Sequence, residues 1–310
     1  MIIKERWYKT VALPAVLSSL LYASSIYLPV IGGFLSFFSP LPVAFIRIKY
    51  SKIESYLTFL FLNIVIFFIG GVPAVLLFLL QYGLPILMFS EIFIAVKEPY
   101  TAMLFSTCLL IALFYAVFLT YSGFSITKVN LLLQNYIEKS LNLAFKSYSG
   151  SLSKAELIEI SEKLKKTVYY IIKILPSLMF MFYSAVMIGN FYIVKRLIPE
   201  LNRIELTKFQ APFFVVWLFI ISGFFVLFNK NYFFINIFLI CSFLYLIQGL
   251  CIIEFWFKKY EVSPFLRGIF LFTIIFLQFV FILIAILGLF DNWFDYRKLN
   301  IKEENNESNS

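Results

Sequence analysis

The feature that most constrains this chain is its series of long, continuous apolar runs. Several runs reach the roughly 20 helical residues that are needed to cross the hydrocarbon core of a bilayer. Only helices or closed barrels satisfy their backbone polar groups in hydrocarbon, and these runs lack the alternation of barrel strands. The composition agrees, because 62% of the 310 residues are hydrophobic, only 14% are charged, and the mean hydropathy is +0.91. The sequence therefore predicts an all-α, polytopic transmembrane helix bundle.

Composition also excludes several kinds of site. The sequence has no histidine, which rules out a Ser-His triad, a histidine metal cluster and an imidazole pH switch. The three cysteines lie in apolar runs without metal-ligand spacing, so we expect them to be packing residues. The net charge of +9 comes from scattered basic residues, which is typical of lysine-rich loops beside anionic lipid and not of a nucleic-acid surface. We expect no enzymatic activity, no metal and no cofactor.

The apolar runs predict about eight spans, either eight or nine. The ambiguous segment is 29–46, which is apolar but is interrupted by Gly32, Gly33, Pro40 and Pro42. It crosses in a nine-span arrangement and re-enters in an eight-span arrangement, and the loop charges favour eight only slightly. The other predicted spans are 11–28, 54–69, 72–96, 100–121, 168 to about 195, 211–228, 232–255 and 265–289.

The only sizeable polar region, 122–167, predicts an amphipathic helical insertion. Its apolar residues recur at helical spacing in two stretches, which are separated by a Ser-Gly-Ser break. A capping-box pattern begins the second helix, Glu159 and Lys163 form an i,i+4 pair there, and Pro176 is expected to kink the chain beyond it. Such a hairpin is expected to lie at the membrane surface.

This patterning divides the chain into four predicted segments. They are a first transmembrane bundle with broken helices at 1–121, a peripheral amphipathic hairpin at 122–167, a second transmembrane bundle at 168–299, and a disordered polar tail at 300–310.

Two interrupted segments are the strongest indication of a binding site. Residues 29–46 and 70–85 both break apolar runs with glycine and proline. Interrupted helices build substrate sites in transporters, although glycine and proline are also ordinary in membrane helices. Polar side chains within spans are a second indication, with interhelical hydrogen bonding as the commoner role. The candidate ligand-binding residues are Gly32, Gly33, Pro40, Pro42, Gly70, Gly71, Gln81, Gly83, Pro85 and Gln248.

A third feature is the sequence GLFDNWFDYRK at 288–298. Asp291 and Asp295 share a helix face near its carboxyl end, where aspartates oppose the helix macrodipole. We therefore predict that Asp291 contacts a cationic side chain outside its own helix, with Lys128 or a lysine of the 153–166 helix as the expected partner. The structural tail motif consists of Asp291, Trp293, Asp295 and Arg297.

This tail motif, together with SPLPVAFIRIKY at 39–50 and YGLPILMFSEIF at 82–93, resembles the YybS-like family of bacterial membrane proteins of unknown function. The resemblance covers nearly the whole chain in its layout of spans. That family is distantly similar to the substrate-binding subunits of energy-coupling-factor vitamin transporters. The resemblance implies a multi-pass protein of the bacterial cytoplasmic membrane and a true crossing at 29–46. The chain departs from those subunits in its extra spans after Leu175 and in its amphipathic insertion, and no ligand residue carries over.

Two functions follow as hypotheses. The first is a small-molecule binding or transport component that lies in the lipid bilayer and takes a small hydrophilic metabolite. The alternative is a non-transporting scaffold that recruits a membrane or cytoplasmic protein partner through 122–166 or through the carboxyl-terminal tail.

Overall fold

The structure is a computed structural model that describes residues 7–148, 154–228 and 231–299. The described residues form helices and no strand, which confirms the predicted fold class. The tail predicted to be disordered, 300–310, lies outside the described residues. The α-helices, in chain order, are α1 Leu13–Tyr27, α2 Pro29–Ser36, α3 Leu41–Lys49, α4 Lys52–Phe78, α5 Leu84–Val96, α6 Pro99–Tyr121, α7 Ile126–Tyr148, α8 Lys154–Lys173, α9 Leu175–Leu197, α10 Phe214–Phe228, α11 Tyr232–Lys259, α12 Pro264–Phe276 and α13 Gln278–Phe294.

Six helical segments of the described chain are long and apolar enough to cross a membrane. They are Tyr8–Tyr27, Ile31–Lys49, Lys52–Val96, Pro99–Tyr121, Leu175–Leu197 and Tyr232–Lys259. Two shorter apolar helices, Phe214–Phe228 and Phe279–Phe294, accompany them. Length and hydropathy thus agree with an integral membrane protein.

The segment Lys52–Val96 folds back on itself at Gly71. This glycine has φ 68° and ψ −166°, a conformation essentially reserved for glycine, and Pro73 follows it. The Tyr56 hydroxyl lies 3.2 Å from Glu91 Oε1, although a straight helix would separate residues 35 positions apart by about 50 Å. The chain therefore reverses between the spans predicted at 54–69 and 72–96, and the segment supplies two antiparallel spans.

Residues 29–49 run back along the whole of α1. Ser24 Oγ donates to Gly32 O at 3.2 Å, and Ser18 Oγ donates to Ser39 O further along. Beyond this segment, Thr10 Oγ1 lies 3.4 Å from Glu54 Oε1. The chain therefore returns to the level at which α1 began. This geometry favours the nine-span arrangement, in which 29–46 crosses the membrane, whereas the loop charges slightly favoured eight spans.

The described chain divides into two compact units. The first unit combines the residues up to Leu110 with Phe180–Leu206, and the second combines Ile111–Met179 with the residues from Thr207 onward. Within the first unit, Phe89 and Phe93 of α5 contact Phe191 of α9, with ring centroids 5.6 and 4.6 Å apart. Its core is therefore aromatic where α5 meets α9.

The second unit contains the amphipathic hairpin of α7 and α8. Val129 and Leu133 of α7 pack against Val168 and Ile172 of α8, and aromatic residues of α6 cover the cluster. The predicted i,i+4 pair forms, with Lys163 Nζ 2.6 Å from Glu159 Oε1. These contacts confirm an amphipathic helical insertion.

The predicted kink near Pro176 is also present in the second unit. The helix is interrupted at Ile174, between α8 and α9. Asn236 of α11 bridges this break, because its Nδ2 donates to Lys173 O at 2.8 Å and its Oδ1 accepts from Ser177 N at 3.0 Å. The carboxamide thereby satisfies backbone groups that a continuous helix would pair internally.

Candidate functional site

The helix interruptions of the first unit meet in one buried group, which we call the helix-break cluster and which consists of Tyr22, Ser36, Ala74 and Tyr82. Ser36 ends α2, Ala74 follows the Gly71 turn, and Tyr82 lies in a π-helical turn at Leu79–Gly83. The Tyr22 hydroxyl donates to Ala74 O at 3.0 Å, and Ser36 Oγ lies 3.1 Å from the Tyr82 hydroxyl. Each member is at most 7% exposed.

Aromatic contacts fix the two tyrosines of this cluster. The Tyr22 ring lies edge-on to Phe78 at 5.2 Å and to Tyr82 at 6.3 Å, and Tyr82 also contacts Phe182 of α9 at 5.9 Å. Such pairs favour one orientation because the positive ring edge faces the negative ring face. The cluster is therefore an ordered set of hydroxyl groups within an apolar bundle.

The break between α2 and α3 lies beside this cluster. The amides of Phe38, Ser39 and Leu41 each donate to the carbonyl three residues earlier, at 3.0–3.1 Å. Pro40 caps α3 and Pro42 follows within its first turn, where prolines suit a helix start because those amide groups lack helical acceptors. The sequence thus ends one helix and starts another in the middle of an apolar run.

Side chains from other helices satisfy the remaining carbonyls of the break. Asn190 Nδ2 of α9 donates to Phe37 O at 3.0 Å and to Val186 O at 2.8 Å. Ser18 Oγ of α1 donates to Ser39 O. Because an unpaired carbonyl is costly in an apolar interior, these bonds stabilise the break.

The structure assigns packing roles to several predicted glycines. A Cβ atom on Gly32 would lie 1.9 Å from Ser24 O, so this glycine permits close contact between α1 and α2. A Cβ atom on Gly83 would lie 3.0 Å from the Phe59 ring, and one on Gly70 would lie 2.6 Å from Ala74 Cβ. Gly32 and Gly70 therefore require a small residue for steric reasons, whereas at Gly83 the neighbouring rings would have to shift.

The other predicted positions differ in environment. Pro40, Pro42 and Pro85 are buried, whereas Gln81 is exposed and has no place in the helix-break cluster. A Cβ atom on Gly33 would meet nothing within 4 Å. The interrupted segments therefore converge through hydroxyl groups, and not through these glycines or this glutamine.

A second polar group, which we call the tail network, lies in the second unit and consists of Gln248, Asp291 and Arg297. Arg297 Nη2 lies 2.5 Å from Asp291 Oδ2, and Gln248 Nε2 donates to the same oxygen at 3.0 Å. The side chains of Arg297 and Asp291 are 0% and 1% exposed. This is a buried ion pair that a neutral amide extends.

The tail network holds the segment that precedes α10. Arg297 Nη1 donates to Thr207 O at 2.5 Å and to Phe209 O at 2.9 Å, and Gln248 Oε1 accepts from Ala211 N at 2.9 Å. These contacts join three stretches of the chain that are distant in sequence, which indicates a structural role.

The cation that contacts Asp291 is Arg297, not Lys128 or a lysine of the hairpin. The prediction of a cationic partner outside its own helix is confirmed, since α13 ends at Phe294, but the expected partner is wrong. Asp295 adopts a left-handed conformation with φ 40°, which turns the chain so that Arg297 returns to Asp291. Trp293 is 53% exposed, as an interfacial aromatic residue would be.

Close packing of α11 and α13 accompanies the tail network. A Cβ atom on Gly288 would lie 2.0 Å from Tyr245 O, and one on Gly249 would lie 2.0 Å from Ile284 O. Small residues at such crossings let helix backbones approach closely in membranes. The glycine that opens the tail motif therefore positions α13 for the Asp291 contacts.

An ion pair that the sequence did not predict lies in the first unit. Arg47 Nε and Nη2 donate to the two carboxylate oxygens of Glu91 at 2.7 and 2.8 Å, a bidentate arrangement. Tyr56 and Lys52 also approach this carboxylate, at 3.2 and 3.9 Å. Glu91 is 31% exposed, so the group ties α3, α4 and α5 together where water has partial access.

The hydroxyl groups at the helix break were not predicted from the sequence. Ser36, Ser39 and Tyr82 lie in apolar runs where each is individually unremarkable, and their convergence depends on tertiary structure. Asn190 was recognisable as a polar group within a span. Hydroxyl residues next to predicted interruptions are the signal that would have found the others.

The fold and the buried polar groups together define a polytopic α-helical membrane protein. The chain belongs to a family of predicted membrane proteins designated DUF2232, whose sequence profile matches residues 16–292. No curated protein and no solved structure matches the chain.

Proposed function

We propose that this protein is a non-catalytic small-molecule binding or transport component of the bacterial cytoplasmic membrane, similar in role to energy-coupling-factor substrate-binding subunits. The observation that carries the proposal is the convergence of the helix interruptions on the helix-break cluster. Interrupted helices that meet at polar groups inside a bundle are the usual construction of transporter sites.

The chemistry of the helix-break cluster favours a small hydrophilic metabolite. Ser36 and Tyr82 present hydroxyl groups that both donate and accept hydrogen bonds, and three aromatic rings contact the ring of Tyr82. By contrast, the groove of about 410 Å³ in the second unit is lined by hydrophobic side chains such as Ile253, Phe257 and Leu283. That groove suits a lipid chain, so we place metabolite binding in the first unit.

A thermal-shift experiment in lipid nanodiscs tests this proposal. Low-molecular-weight fractions of a bacterial cell extract are added to the purified full-length protein. We expect at least one fraction to raise the unfolding temperature, because a ligand that binds only the folded state stabilises it. The double variant Ser36→Ala/Tyr82→Phe, which removes both hydroxyl groups of one hydrogen bond, should lose this shift. An identical shift in the variant contradicts the location of the site.

The scaffold function remains a second candidate because of one feature of α7. Leu131 is 57% exposed on this amphipathic helix and lies on the side away from the packed Val129 and Leu133. A membrane or cytoplasmic protein partner that docks there would cover it. Capture of a defined partner that Leu131→Lys abolishes would support this function.

A further inference from the structure

We propose that the break between α2 and α3 holds a monovalent cation of about the size of sodium, bound by Ser39, Asn190 and backbone carbonyls of the break. This inference goes beyond the proposed function and does not depend on which metabolite binds. It rests on two buried oxygen atoms for which the surrounding described residues provide no hydrogen-bond partner.

Both oxygen atoms are buried and lack a hydrogen-bond partner among the described residues. They are Ser39 Oγ and Asn190 Oδ1, and both residues are 0% exposed. A buried polar atom without a partner is unfavourable, and in an apolar bundle the cost is not relieved by bulk water. Two such atoms at the same helix break indicate an occupant that is coordinated by oxygen atoms.

The other hydrogen bonds of Asn190 and Ser39 show where these two oxygen atoms lie relative to the break. Asn190 Nδ2 lies 3.0 Å from Phe37 O, so Oδ1 of the same carboxamide also lies at the break. Ser39 is two residues further along, and its carbonyl accepts from Ser18 Oγ. The carbonyls of Phe37 and Ser39 each keep a second lone pair, since a carbonyl oxygen accepts two hydrogen bonds.

The donor set selects the class of occupant. It consists of a hydroxyl, an amide oxygen and peptide carbonyls, and the described residues gather no cluster of cysteines and carboxylates able to hold a metal ion. Calcium and magnesium prefer carboxylates, whereas unwound backbone in membrane proteins coordinates sodium through neutral oxygens. Because these donors are neutral oxygens at one helix break, they suit a single monovalent ion.

The test measures the unfolding temperature of the full-length protein in lipid nanodiscs. The buffers contain sodium chloride, potassium chloride or N-methylglucamine chloride at equal ionic strength. We expect a saturable rise with sodium that the large organic cation does not produce, since a ligand specific for the folded state raises its stability with concentration. Equilibrium binding of radioactive sodium to the protein in the same nanodiscs then gives the affinity directly.

Two serine variants supply the contrast. Ser39→Ala removes one cation ligand but no protein hydrogen bond, so it should fold normally without sodium and bind sodium about tenfold more weakly. Ser55→Ala is the matched control, because Ser55 Oγ is another buried hydroxyl without a partner among the described residues but lies within α4. It should keep the full response to sodium.

Two outcomes would overturn the inference. If sodium and N-methylglucamine give the same unfolding temperature and no sodium binds, the break holds only water. If sodium binds but Ser39→Ala responds as the wild type does, the cation lies elsewhere. Either result leaves the proposed binding of a metabolite unaffected, because the Ser36 and Tyr82 variants test that separately.

Discussion

Replacing Arg297 with methionine is expected to destabilise the protein strongly. The substitution keeps a long apolar side chain but removes the guanidinium that neutralises Asp291 and bonds Thr207 O and Phe209 O. Loss of one partner of a buried ion pair costs about 3–5 kcal/mol, because the remaining charge stays buried and unpaired. Interhelical hydrogen bonds in membranes contribute less, about 0.6–2 kcal/mol each, since unfolded segments also find partners in lipid. We therefore expect a loss near 3 kcal/mol, at the lower end of the range.

The assay is reversible unfolding by a denaturing detergent, followed by tryptophan fluorescence. Lys298→Met is the matched control, since Lys298 is the adjacent cationic residue and is exposed. It should change the free energy of unfolding by no more than about 0.5 kcal/mol. The double variant Asp291→Asn/Arg297→Met should lose less than the sum of the two single variants, by at least about 1 kcal/mol. Equal effects of Arg297→Met and Lys298→Met, or strict additivity of the pair, would refute the account of the tail network.

Three further predictions follow from the helix contacts. Gly71→Ala should lower the free energy of unfolding by about 1–3 kcal/mol, because the backbone conformation of Gly71 is essentially restricted to glycine. Gly33→Ala should be nearly neutral, because open space surrounds Gly33. Equal free energies of unfolding for the two variants would contradict this prediction. In a background without native cysteines, the double variant Thr107→Cys/Ser184→Cys should form a disulfide under mild oxidation, since the hydroxyl oxygens of Thr107 and Ser184 lie 3.3 Å apart. Failure of this variant to crosslink in nanodiscs would argue against packing of α6 on α9. A cysteine at exposed Lys163 should react with an impermeant thiol reagent from one side of the membrane only, and protection from both sides would exclude a peripheral hairpin.

Sequence patterns predicted the local features of this fold well. Apolar runs, the polar insertion and the Gly-Gly-Val-Pro turn depend on residues near one another in the chain, and Gly71 and the α7–α8 hairpin appear where they were predicted. The direction of 29–49 was harder to predict. Its hydropathy allows both a crossing and a re-entry, and only its pairing with α1 distinguishes them.

Which side chains meet at the candidate site could not be predicted from the sequence. The interruptions pointed to segments that converge in the structure, because glycine and proline act locally on the backbone. The groups that meet there are hydroxyls of Tyr22, Ser36 and Tyr82, and their contacts join residues up to 60 positions apart. Gln248 and Arg297 were both singled out, but their common contact with Asp291 depends on the turn at Asp295 and on the crossing of α11 and α13.

Native mass spectrometry of the protein in nanodiscs made from its own membranes tests the central claim most directly. We expect the wild type to carry a small-molecule mass that Ser36→Ala/Tyr82→Phe loses. The variant Thr107→Val/Ser184→Ala is the control, because it removes another buried hydroxyl pair of the first unit and should retain the molecule. A wild type that carries no small molecule but retains a protein partner would contradict the binding function and favour the scaffold.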